Sequence, residues 1–104
     1  MAPDVNNQLQ TLALSLDADY FGIADLAPAQ DAIRAQGGSH VARYPRSVVM
    51  GIRLQDSIVD LLPEKDKAGA ILYRHTTYDV VNTALDQIAL RVAGLLQKEG
   101  YLAF

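Results

Sequence analysis

The chain has 104 residues, half of them apolar and a fifth charged, the balance of one small folded domain and not of a disordered tail. Its net charge of −3, with nine basic residues scattered along the chain, argues against a nucleic-acid surface, which needs Lys and Arg gathered to neutralise phosphates, and against a membrane surface on the same grounds. Cysteine is absent, so the chain can hold neither a disulfide nor, through thiolates, an iron–sulfur cluster.

Val5, Leu9, Leu12 and Leu16 are spaced by four, three and four, which predicts a first helix with one apolar stripe and Asp4 as its N-cap. Asp17-Ala18-Asp19 ends it. Tyr20-Phe21-Gly22-Ile23-Ala24 has strand composition, with Gly22 marking a close backbone approach. Residues 28–36 predict a short helix with Pro28 in its first turn and Gly37 just past its end, followed by a Gly37-Gly38-Ser39-His40 loop. Residues 47–54 form the clearest strand, so continuously apolar that burial on both faces is expected. A short helix over 56–62 stops at Pro63, and 64–69 is a charged, solvated connection. No internal repeat or low-complexity tract is present. Tyr101-Leu102-Ala103-Phe104 reads as the start of a further strand.

The fold class expected is α+β: one domain over 1–104, a small sheet covered by helices on both sides, and a long C-terminal amphipathic helix. At 100° per residue, Val81, Leu85, Ile88, Val92 and Leu95 form its core stripe with Leu96 beside them, while Thr83, Gln87, Arg91 and Lys98 face water. A third line runs through His75, Asp79, Asn82 and Asp86 if the helix begins near His75, and continues through Ala89 and Ala93. First-turn capping and surface exposure explain most of that line.

Little else carries chemistry. His75 and Asp79 offer two metal ligands where catalytic zinc takes three from the protein, so no metal site is expected. No serine sits in a nucleophile elbow, and Gly37-Gly38 lacks the later Gly and the Lys-Ser/Thr pair of a phosphate loop. No catalytic residue can be named. The N-terminus lacks the basic start and apolar core of a signal peptide, and the longest apolar run is far too short to span a bilayer, which with the missing cysteines predicts a cytoplasmic protein.

Three segments, in this order, carry a resemblance to a known family. Leu16-Asp17-Ala18-Asp19-Tyr20-Phe21-Gly22-Ile23-Ala24 resembles the early "LGAD-hydrophobic-VGIA" segment of epoxyqueuosine reductase-like iron–sulfur proteins. Pro45-Arg46-Ser47-Val48-Val49-Met50-Gly51-Ile52 is similar to their "P-(K/R)-S-V-I-V-hydrophobic-G" strand. Tyr73, His75, Tyr78, Asn82, Leu85, Asp86 and Ile88 match the spacing that opens their long helix, and Gly100-Tyr101-Leu102-Ala103 its end. Where epoxyqueuosine reductases proper have Gly-Arg-Asp-Tyr-His, this chain has Arg74-His75-Thr76-Thr77-Tyr78-Asp79 and keeps only the Tyr, so a less characterised branch is the better match.

The resemblance implies the N-terminal part of a longer cytoplasmic oxidoreductase with a nitroreductase-like core related to reductive dehalogenases. It implies [4Fe–4S] clusters and a cobalamin held with polypeptide beyond Phe104, the rest of its own chain being the partner. Tyr73, His75, Tyr78 and Asn82 are then the residues expected to line a cofactor or substrate edge. Two other functions stay open: a stand-alone interaction or dimerisation module without catalysis, in which the isolated chain pairs as a homodimer, and, by fold analogy alone, a flavin- or small-molecule-binding domain.

Overall fold

The computed structural model describes residues 4–61 and 67–104; the Pro63 stop and most of the charged connection lie outside them. The order is α1 (Val5–Ser15), β1 (Tyr20–Asp25), a 3-10 turn (Ala27–Ala29), α2 (Gln30–Gly37), α3 (Ser39–Ala42), β2 (Arg46–Gly51) and α4 (Asp56–Val59). Then comes an unbroken helical rod made of α5 (Lys67–Arg74), a π-helical segment (His75–Val81) and α6 (Asn82–Lys98). The two strands pair antiparallel, from Tyr20 opposite Gly51 to Asp25 opposite Arg46. The fold is α+β, predominantly helical.

Both ends of α1 follow from local chemistry. The Asp4 carboxylate accepts the Asn6 N–H at 3.0 Å, the N-cap expected. At the other end the Asp17 N–H donates to the Leu14 carbonyl and the Ala18 N–H to the Ala13 carbonyl, both at 3.1 Å. This is a Schellman cap with Asp17 in the left-handed region, φ 73°. Buried Ala18 and buried Ala13 are brought together by it. The rod ends the same way: Gly100 (φ 93°) donates to Gln97 and Tyr101 to Leu96.

The core is the seam between α1 and α6. Leu9, Ala13, Ala18, Ile88 and Val92 are buried, and Phe21, Ile23, Val48 and Met50 of the strands pack against them with Leu12, Leu16, Leu95 and Leu96. Both predicted stripes are where the core lies, with Ile88 and Val92 at its centre and Leu85 half-buried. Ala13, Ala18 and Ala42 were missing from the stripes because they are small, and smallness is why they are buried.

Several boundaries differ from expectation. β2 ends at Gly51 and not at 54, because Asp19 closes the ladder there: its N–H donates to the Gly51 carbonyl at 2.9 Å and its carboxylate accepts the Arg53 N–H at 2.7 Å. Gly38, φ 83°, ends α2, and Ser39–Ala42 adds a helical turn where a loop was expected. Helix 56–62 is shorter, Asp56–Val59, and Lys67 to Gly69 already belong to the rod. Tyr101 to Phe104 pair with no strand; Leu102 and Phe104 lie exposed beside β2. Among the described residues helices cover one sheet face only: Tyr20 and Val49 on the opposite face are 60% and 53% exposed.

Two outcomes test this account. Ile88→Ala should lower unfolding free energy by about 2–5 kcal/mol in urea titrations, and Leu85→Ala by distinctly less, since only Ile88 is fully enclosed. Asp17→Gly should preserve or raise the melting temperature, whereas Asp17→Val should cost about 1–2 kcal/mol, because a β-branched residue resists the left-handed conformation.

Candidate functional site

The segment singled out by the resemblance coincides with the one departure from α-helical geometry in the rod. Across His75–Val81 the backbone widens to the π pattern, with the Asn82 N–H reaching the Thr77 carbonyl five residues back. The local sequence explains the widening. Thr76, Thr77, Val80 and Val81 are β-branched and crowd the preceding turn. The Thr77 hydroxyl donates to the Tyr73 carbonyl at 3.0 Å and the Thr83 hydroxyl to the Asp79 carbonyl at 2.7 Å, so two carbonyls that would serve the α ladder are engaged by side chains.

Of the four expected site residues, His75 has a polar partner. Its Nδ1 lies 2.9 Å from the Asp79 carboxylate. A carboxylate only accepts, so Nδ1 carries the hydrogen and Nε2 is left as the open position of the ring. Both side chains are more than 60% exposed. Tyr78 is 65% exposed, Asn82 is exposed and Tyr73 half-buried, and among the described residues none of them bonds to the pair. They mark one stretch of the rod without enclosing a cavity. What they offer is an open wall: a hydrogen-bonded imidazole, two phenols and a carboxamide.

The concave surface of the described residues lies elsewhere, in two open grooves, one of them beside Leu16, Gln87 and Arg91. The other groove, of about 460 Å³, runs between β2, α2–α3 and the C-terminal half of α6, with Leu102 and Phe104 along its lip. Its residues come from six parts of the chain, so no single periodicity could reveal it. The one local signal is Tyr44-Pro45-Arg46-Ser47, a polar run that leads into β2 and supplies its first two residues. Phe104 stands exposed at the rim, with its ring 5.9 Å from His40 and 6.1 Å from Tyr44.

Among the described residues no three His, Asp or Glu side chains gather where a metal ion could sit, and no helix is long and apolar enough to cross a membrane. No protein-family model, curated protein or solved structure matches the chain.

The π segment should be the weakest part of the rod. Hydrogen exchange followed by NMR should find the amides of 76–82 exchanging faster than those of 86–96, whose side chains include the core residues Ile88 and Val92. Equal protection along the rod would mean that the widened turn carries no local weakness.

Proposed function

We propose that this chain is the scaffold half of a cytoplasmic oxidoreductase core of the epoxyqueuosine reductase-like iron–sulfur kind, completed by further polypeptide. The supporting observation is its unfinished surface. The chain exposes 7755 Å², against roughly 5,700 Å² for a compact monomer of this mass. Its radius of gyration is 17.0 Å, where about 13 Å is usual. A two-stranded sheet with near-continuously apolar strands and one open face fits a sheet that is wider and covered on both sides in the complete protein.

Within that reading the chain's own contribution is positional. With no cysteine it ligates no cluster, so [4Fe–4S] centres belong to thiolates elsewhere in the polypeptide. A cobalamin, when bound, would supply a strongly reducing cobalt centre. Tyr73, His75, Tyr78 and Asn82 would stand at its edge or the substrate's. Their role is to exclude water with two aromatic rings and to present His75 in the orientation that Asp79 holds.

The test is the reading frame of the source gene past the codon for Phe104, followed by variants of the encoded protein. Two Cys-x-x-Cys-x-x-Cys-x-x-x-Cys-Pro runs are expected in frame. His75→Ala and Tyr78→Phe should then lower cobalamin occupancy or turnover while leaving the melting temperature within a few degrees. A stop codon at that point sinks the proposal.

A second reading, self-association without catalysis, is favoured by the same open face and the two free strand edges. It expects a dimer in light scattering that Val49→Lys converts to monomer without loss of helix, since Val49 is 53% exposed in the single chain.

A further inference from the structure

The groove beneath β2 has a chemical polarity that neither reading of function uses. Its walls are aliphatic: Val48 and Met50 on the sheet side, Ala93 and Leu96 on the helix side, Ile33 and Val41 across from them. Its polar side chains come from one end of the sheet wall: Tyr44, just before β2, and Arg46, the first residue of β2. The helix wall offers no hydrogen-bonding side chain from Ala89 to Leu96 along the groove, so a peptide lying there would leave backbone groups unpaired on that side, whereas an alkyl chain would leave none. The volume, about 460 Å³, falls within the range of small-molecule sites.

Charge decides the other end of the ligand. The chain is acidic overall, yet Arg46 lines the groove, and two further basic residues touch its lining: Arg43 against Tyr44 and His40 against Phe104. Arg43 lies over the Tyr44 ring at 5.3 Å. Arg34 pairs with Asp31 and Arg53 with Asp56, but among the described residues Arg46 enters no ion pair. The acidic group facing it is Asp25, its cross-strand neighbour, whose carboxylate is engaged by the Ala27 N–H at 3.0 Å.

We propose that this groove binds one fatty-acyl carboxylate, with the alkyl chain between β2 and α6 and the carboxylate at Arg46 and the Tyr44 hydroxyl. The inference does not rest on the scaffold reading, because the site lies within this chain and its test uses the chain alone.

The test is calorimetric titration of the 104-residue protein with dodecanoate and with dodecanol, both below their aggregation limits. Dodecanoate should bind one to one and more tightly than the alcohol. Arg46→Gln should weaken dodecanoate by roughly ten- to a hundredfold, as expected for loss of a charge-assisted hydrogen bond, and leave dodecanol unchanged. Ala93→Phe should block both by filling the groove. NMR of the unsubstituted chain should show the Val48 and Leu96 methyl signals moving with dodecanoate, a readout that does not depend on how the variants fold. The proposal is overturned by the absence of saturable binding, by methyl signals that do not move, or by equal loss of acid and alcohol in Arg46→Gln. It is overturned as well if a second copy or a peptide strand occupies the β2 edge and dodecanoate fails to displace it.

Discussion

Everything in this molecule hangs on the close approach of α1 to α6. Ala13, fully buried, lets the two helices draw together, while Leu9, Ile88 and Val92 fill the space on either side. The Schellman cap at Asp17 turns the chain at that point and tucks Ala18 beneath the seam, which delivers Tyr20 to the start of β1. Asp19 then binds the far end of β2 through its own N–H and the Arg53 N–H, so two residues after the helix cap the register of the sheet is set. Side chains at alternate positions, Phe21 and Ile23 with Val48 and Met50, are thereby aimed at the seam. A slip of one residue would send all four to the opposite face.

The seam also accounts for where the rod tolerates irregular geometry. From Ile88 onward α6 is held by burial of one face, and its hydrogen bonds follow the α pattern. Before Val81 no residue of the rod belongs to the buried core cluster, and threonine hydroxyls and β-branched crowding are free to decide the local turn. The π segment therefore sits at the boundary between a portion of helix fixed by packing and a portion governed by its own side chains. Such boundaries suit ligand-facing residues, because the backbone there is not committed to the core.

The sequence was most legible where a periodic pattern and the core coincide. The four-three-four spacing of Val5, Leu9, Leu12 and Leu16, and the stripe through Ile88 and Val92, foretell which helix faces meet. It was least legible where an interaction joins distant residues: nothing near Leu54 announces that Asp19, thirty-four positions before Arg53, will end the strand. His75 and Asp79 are neighbours by α spacing and do meet. Asn82 was grouped with them on a uniform wheel that the π segment does not follow, while Tyr73 and Tyr78 joined them through the resemblance alone. The groove was invisible for a different reason. It is a gap between elements, and apolar residues such as Met50 and Leu96 read the same whether they line a gap or fill one.

The two sheet faces are made of similar material but meet different fates. Toward the seam stand Phe21, Ile23, Val48 and Met50; away from it stand Tyr20, Gly22, Ala24, Ser47, Val49 and Gly51. The outward set is not the charged or polar alternation that a solvated antiparallel sheet normally shows. It is low and smooth: a Cβ placed on Gly22 would touch nothing within 4 Å, and the Tyr20 ring leans over Gly51, 3.1 Å from where a Cβ would stand. Relief of that kind, two shallow glycine positions beside an aromatic ring and a valine, can receive the ridge of another element. A face built for water would gain nothing from it, and exposing Tyr20 and Val49 forfeits on the order of 1–3 kcal/mol for each side chain that burial would return. The open face and the polarised groove lie on opposite sides of the same two strands. Covering the first would brace the sheet from behind and leave the groove's own walls, supplied by α6 and α2–α3, as they stand.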